Sequence, residues 1–135
     1  MLTITPDARD ELITHARDGT PREICGVLGG EIGEHRRVQS VHRTPNVAAV
    51  PRTRYEIDPE AQLAAMTTIE DAGQEVVGFY HSHPQGPDAP SQTDVATASW
   101  PGKSYVVVSL GGDDPHVGAW RWTGDRFERE TVEIR

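Results

Sequence analysis

Two histidines one residue apart close an apolar run, Val76-Val77-Gly78-Phe79-Tyr80-His81-Ser82-His83-Pro84, and after a gap of seven residues comes Ser91-x-x-Asp94. The valines and Gly78 predict a buried strand with the histidines at its end. In a strand, residues two apart point the same way at about 3.3 Å rise per residue, so both imidazoles leave one face with Cα atoms roughly 6 to 7 Å apart. That span lets two rings converge on one metal ion. The segment 85–90 holds Gly86, Pro87 and Pro90, and it can fold back to deliver a third ligand, for which Asp94 is the candidate. Two neutral nitrogens and one carboxylate oxygen, with a fourth position left for water, is the pattern of a catalytic zinc site.

Each half also has a plainer reading. A lone His-x-His is commonly packing or surface polarity, and Ser91-x-x-Asp94 after Pro90 is the pattern of a capping box at a helix start. The two readings of Asp94 are compatible, because a helix start fixes the carboxylate in space. Hydrolysis at zinc further needs a base that takes a proton from water and passes it to the leaving amine. By context the best-placed carboxylate is Glu23, at the head of Glu23-Ile24-Cys25-Gly26-Val27-Leu28-Gly29. A carboxylate in that position is more often an exposed strand end, and nothing in the sequence alone brings it near the histidines. Cys25 shares a strand face with Glu23, which admits a thiol nucleophile, against the commoner reading of a single buried core cysteine. His15, His35, His42 and His116 have no partner at ligand spacing and read as surface or packing residues. Gly26, Gly29 and Gly30 lack the Lys-Ser/Thr ending of a phosphate loop and precede a strand.

These residues must be held by a chain of 135 residues, long enough for one domain with its own core. With 36% hydrophobic and 25% charged residues it falls among globular proteins, with no apolar run of membrane-spanning length and no signal-peptide pattern. A cytoplasmic location is the default expectation, and one cysteine excludes an internal disulfide. The formal charge is −8, and Lys103 is the only lysine. An acidic surface argues against nucleic acid as the main partner. Composition of this kind also suits a high-salt cytoplasm, although a GC-rich genome equally exchanges Lys for Arg.

Thr5-Pro6-Asp7 opens a helix that ends at Gly19, with Leu12, Ile13 and Ala16 on its apolar face. A buried strand over 24–30 and a hairpin partner over 37–43 follow. The segment 44–58 is long and irregular, a feature usually tied to function or mobility. Asp58-Pro59-Glu60 starts a second helix, with Leu63, Met66 and Ile69 on one stripe, ending at Gly73. Then come the histidine strand from Glu75, a short helix over 93–99, a strand over 105–110, and a hairpin of 117–122 with 126–132 about Gly124-Asp125. The expected class is α/β, a mixed sheet with flanking helices.

Taken together, Pro21-Arg22-Glu23-Ile24-Cys25-Gly26-Val27-Leu28-Gly29, His81-Ser82-His83-Pro84, the seven-residue gap, Ser91 and Asp94 resemble the JAMM (MPN+) zinc isopeptidases. Arg54-Tyr55-Glu56-Ile57-Asp58-Pro59-Glu60 is similar to the stretch that precedes the second helix in small prokaryotic members, so the likeness covers nearly the whole chain. The resemblance implies one Zn²⁺ per chain on His81, His83 and Asp94, with Glu23 holding the catalytic water and shuttling its proton. Ser91 would hydrogen-bond the oxyanion, and Cys25 would not be the nucleophile. The implied fold is that of cytidine deaminases, a mixed sheet between helices.

The implied substrates are proteins joined through the C-terminal Gly-Gly tail of a ubiquitin-like protein, which would lie extended beside a sheet edge. Small members resemble either enzymes that remove archaeal modifiers from lysines or enzymes that release cysteine or another residue from sulfur-carrier proteins. The acidic, lysine-poor composition favours the archaeal kind, and the lack of room for large insertions implies a broad substrate range. A silent MPN scaffold is the rival from another class; silent members typically lack motif residues, and here all five positions are filled. A base deaminase would want a Pro-Cys-x-x-Cys segment, which a single cysteine excludes. Isopeptide or linear bond, the identity of the modifier, and monomer or homodimer stay open.

Overall fold

The computed structural model describes residues 1–135. In chain order its elements are β1 (Leu2–Ile4), α1 (Pro6–Gly19), β2 (Cys25–Glu31), β3 (Arg36–Thr44), α2 (Pro59–Asp71), β4 (Glu75–His83), α3 (Gln92–Thr97), β5 (Ser104–Ser109), β6 (His116–Trp122), β7 (Phe127–Glu130) and β8 (Val132–Ile134). All eight strands join one sheet in the order β7-β6-β5-β4-β2-β3-β1-β8. β4 pairs parallel with β5 and antiparallel with β2, and β1 pairs parallel with both β3 and β8. The sheet is mixed, with helices packed on it, as the α/β expectation requires.

Strand alternation splits the core into two layers. Leu28, Val77, Tyr80, Val106 and Val108 pack with Leu12, Ile13 and Ala16 of α1 on one face. Val27, Phe79, Tyr105 and Trp122 pack with Ala65 and Ile69 of α2 on the other. Within β4, Phe79 therefore belongs to the α2 layer and Tyr80 to the α1 layer. A Cβ on Gly26 would sit 2.4 Å from the Tyr80 ring and from the His42 carbonyl, so only glycine lets that ring cross β2.

The helix starts follow local rules. Thr5 Oγ1 accepts the Ala8 N–H at 3.2 Å and Asp58 Oδ2 accepts the Ala61 N–H at 2.9 Å, each ahead of a proline in the first turn. Three expectations need correction. The proposed α2 stripe faces the core only in part: Ile69 is buried and Met66 packs against the same cluster, but Leu63 is 68% exposed and Ala65 is the other buried residue. The expected second arm over 126–132 breaks at Thr131 into β7 and β8, and β8 crosses to pair with β1. Neither β1 nor β8 was foreseen, since three residues are too few to display alternation.

Among the four histidines read as surface or packing, His35 is exposed, His42 and His116 are half-buried, and His15 is buried on α1. His15 Nδ1 and the Tyr80 hydroxyl share a 2.7 Å hydrogen bond. Burial, followed by the charge of Arg43, lowers the His15 pKa from 6.5 to about 4. The folded chain therefore keeps this ring neutral where the unfolded chain takes up a proton. Stability from His15 is present in full above pH 6.5 and falls as the pH drops from 6.5 towards 4. Urea denaturation should accordingly show His15→Gln clearly less stable than the parent at pH 7.5, with the gap narrowing by pH 4.5; a gap that widens in acid would contradict the neutral ring.

Candidate metal centre

β4 places His81 and His83 on the α2 face, with Ser82 between them on the other. The imidazoles lean together, Nε2 to Nε2 at 3.2 Å, and both nitrogens meet Asp94 Oδ2, at 3.0 Å from His81 and 3.1 Å from His83. All three residues are at least 96% buried. The capping box is also formed: Ser91 Oγ accepts the Asp94 N–H at 3.1 Å, and Asp94 Oδ2 accepts the Ser91 N–H at 2.8 Å. The capping reading of Ser91-x-x-Asp94 holds, and the carboxylate that caps α3 is the one aimed at the histidines.

Glu23 completes the group, although it lies just outside β2. Ligand-type atoms of Glu23, His81, His83 and Asp94 all fall within 4.8 Å of one another. The link that spacing could not supply comes from strand pairing. Cys25 sits opposite His81 in the β2–β4 ladder, and beyond it Ser82 takes over: its Oγ accepts the Ile24 N–H at 2.9 Å, and its N–H donates to the Ile24 carbonyl at 3.0 Å. The Glu23 N–H donates to the Pro51 carbonyl at 2.7 Å, and its carbonyl accepts Asn46 Nδ2 at 2.9 Å. Glu23 is thus held by its backbone, while its Oε1 is buried without a hydrogen-bond partner.

Electrostatics set the four groups apart. Burial pushes Glu23 from 4.5 up to about 7, with the charge of His83 opposing and that of Asp94 adding to the rise. Burial works the same way on Asp94, but hydrogen bonds from His81 and His83 outweigh it and hold that carboxyl well below its usual range. Burial lowers His81, against its bond to Asp94. Cys25 is fully buried, and burial raises its thiol from 9.0 to about 11. A protonated thiol in the core is a packing residue and a poor nucleophile.

The donor set fits zinc. Bonds of 2.0–2.1 Å in a tetrahedron put ligand atoms about 3.3 Å apart, close to the separations among the two Nε2 atoms and Asp94 Oδ2. His83 Nδ1 bonds the Pro87 carbonyl at 2.9 Å, which orients the ring with Nε2 turned to the centre. His81 Nδ1 is buried and unpartnered, and Tyr55 stacks on that ring at 4.2 Å and 17°.

Four contributors escaped sequence reasoning: Ser82, Tyr55, the Pro87 carbonyl and Asn46. Asn46 ties the 44–58 segment together, since Nδ2 also reaches the Arg54 carbonyl at 3.1 Å while Oδ1 accepts N–H groups of Ala48 and Glu56, each at 3.0 Å. The alternation that put both histidines on one face also put Ser82 on the opposite one, so its partner in a neighbouring strand could have been sought. No spacing rule flags the other three.

The chain as a whole has counterparts among known proteins. The family described as prokaryotic homologs of the JAB domain matches residues 5–123. The chain belongs to that family. A desampylase of Haloferax volcanii is 44% identical over 137 residues, covering 98% of this chain and 96% of that protein. A CysO-cysteine peptidase of Mycobacterium tuberculosis is 39% identical over 116 residues, covering 86% and 77%. Among solved structures, a Desulfitobacterium hafniense protein known from solution has a TM-score of 0.91 at 32% identity, covering all of this chain and 93% of that one.

Ser82 is the structural tie in this JAB centre. Replacing it in Ser82→Ala strands the buried Ile24 N–H, at a cost of about 1–3 kcal/mol, and frees the backbone leading to Glu23. Urea denaturation should show that loss while metal titration gives near-parent zinc affinity. A loss of zinc as large as in His81→Ala would place the role of Ser82 at the ligands instead.

Proposed function

We propose that this chain is a zinc-dependent peptidase of the JAB family that hydrolyses the amide after the C-terminal Gly-Gly of a ubiquitin-like protein, releasing the modifier from its conjugates. The convergence of Glu23, His81, His83 and Asp94 within 4.8 Å is the observation that carries this reading. The names of the relatives, a desampylase and a CysO-cysteine peptidase, support the substrate class. In this reading His81, His83 and Asp94 hold Zn²⁺ and all 135 residues form one catalytic domain. When bound, zinc supplies Lewis-acid polarisation of the scissile carbonyl and makes water more acidic.

The remaining roles fall to the chain's own groups. Glu23 takes a proton from the attacking water and returns one to the departing amine; its free Oε1 and raised pKa suit both halves of that task. The Ser91 hydroxyl accepts the Asp94 N–H, which leaves its own proton to donate to the developing oxyanion. The Ser91 N–H bond and the two imidazoles keep Asp94 ionised, as a ligand must be. Tyr55 covers His81 and keeps water off that ring. The fully buried, protonated Cys25 leaves water as the nucleophile. No helix is long and apolar enough to cross a membrane, which fits the expected cytoplasmic location.

Two substitutions separate base from ligand. Glu23→Gln should lower cleavage of a Gly-Gly-linked ubiquitin-like conjugate at least about 100-fold, with one zinc per chain still bound by atomic absorption; zinc loss in that variant would make Glu23 a ligand. Asp94→Ala should lose zinc and activity together, and full zinc occupancy would leave Asp94 with its capping role alone.

A further inference from the structure

The peptide that joins Glu23 to Ile24 lies just ahead of β2, and side chains take both of its polar groups. Ser82 Oγ accepts the Ile24 N–H at 2.9 Å, and Asn46 Nδ2 donates to the Glu23 carbonyl at 2.9 Å. The soft torsions on either side of this planar unit decide the direction in which the Glu23 side chain leaves the strand. Ser82 belongs to the strand that carries the histidines. Asn46 comes from the irregular segment after β3, and its bonding is unusual.

The Asn46 amide is used to capacity. Nδ2 donates to the carbonyls of Glu23 and Arg54, at 2.9 and 3.1 Å, and Oδ1 accepts the N–H groups of Ala48 and Glu56, each at 3.0 Å. An amide has two protons on nitrogen and two lone pairs on oxygen, so two carbonyls on one side and two N–H groups on the other fix which way it faces. Arg54 and Glu56 flank Tyr55, whose ring stacks on His81 at 4.2 Å and 17°. Asn46 therefore spans from a segment packed on a candidate ligand to the carbonyl of the candidate base.

The segment has other bonds that close it. The Val47 N–H donates to the Glu56 carbonyl at 2.8 Å, the Asp58 N–H donates to the Pro45 carbonyl at 3.2 Å, and Asn46 pairs with Ile57 in an antiparallel bridge. With Arg22, Pro51 and Arg52, Asn46 and Glu23 also line a polar cavity of about 480 Å³. The segment thus forms the rim of the space that opens beside the base.

We propose that Asn46 is a positioning residue for Glu23, its side-chain amide holding the base at the distance from the metal centre that the Tyr55–His81 stack sets. All four of its bonds go to backbone, so it acts on the reaction through Glu23. This role rests on the peptidase reading above and adds a residue outside the five motif positions. Displacing a reacting group by about 1 Å can cost on the order of 100-fold in rate.

Asn46→Asp separates positioning from loop closure. Aspartate has nearly the same shape and still accepts the Ala48 and Glu56 N–H groups, but it has no proton for the two carbonyls and sets a negative charge against them. The substrate for the test is a ubiquitin-like protein linked through Gly-Gly to a lysine side chain. Zinc-loaded Asn46→Asp should show kcat lowered about tenfold or more, with KM within about twofold of the parent and zinc content unchanged. Hydrogen exchange should quicken about tenfold at the Glu23 amide and stay at the parent rate at Val27 and Phe79 in the sheet. The same substitution in a Glu23→Gln background should cost little further activity, because a residue that works through the base has nothing left to position. Asn46→Ser, too short to reach the carbonyls, takes the place of the aspartate variant if that one does not fold, with the same expected split.

An unchanged kcat per zinc-loaded chain overturns the positioning role, as does an equal loss in the Glu23→Gln background. A raised KM at unchanged kcat moves Asn46 to substrate binding and overturns it as well. A zinc-loaded parent that cleaves no such conjugate removes the peptidase reading itself, and this role with it.

Discussion

Antiparallel pairing of β2 with β4 is the constraint on which everything at the centre depends. β4 carries both imidazoles, but a strand can aim side chains only where its backbone already lies. β2 brings the second carboxylate, and the register that sets Cys25 against His81 decides where Glu23 ends up. A slip of one residue would turn Cys25 and Glu23 to the opposite face. Ser82 guards against that slip at the point where regular ladder bonding stops, with one bond from its side chain and one from its backbone. The residue between two candidate ligands thereby fixes the partner strand that leads from Glu23.

A second economy lies at Asp94. Its carboxylate caps α3 and faces both histidines through the same oxygen. A six-residue helix has little stability of its own, and the capping bonds hold it in place through the residue that the site needs fixed. His81 Nε2, His83 Nε2 and Asp94 Oδ2 lie 3.0 to 3.2 Å from one another, so the same oxygen that caps the helix belongs to a donor set that could hold a metal ion.

The candidate site was largely legible because its signals are local. His81 and His83 share a face by strand period, and Ser91 and Asp94 follow a helix-start pattern; each needs only a few neighbouring residues to be read. Placing Glu23 beside them depends on strand pairing between positions 58 residues apart, from Ile24 to Ser82, and only the resemblance to the JAMM enzymes supplied that link in advance. The sheet was legible where its strands are long. β1 and β8 were invisible because their stability comes from partners: Leu2 and Ile4 are wholly buried, yet three residues carry no period. The α2 stripe was legible in part for a related reason. Met66 and Ile69 do face the sheet together with Ala65, but Leu63, at helical spacing from Met66, falls outside the buried side.

The loop knotted together by Asn46 has an implication for how this chain can vary. Its anchors are few and lie in the backbone: the Glu23 carbonyl and N–H, the Pro51 carbonyl, and the amides of Ala48 and Glu56. Between those anchors the turn at Arg52, Thr53 and Arg54 is exposed and contributes no side chain to the core. Lengthening a surface turn costs little closure entropy. Evolution, or a protein engineer, can therefore remodel the rim of the polar cavity with new residues while the reactive carboxylate stays where the sheet has put it. The exposed turn on the rim of that cavity and the groups that set the position of Glu23 are separate parts of the chain.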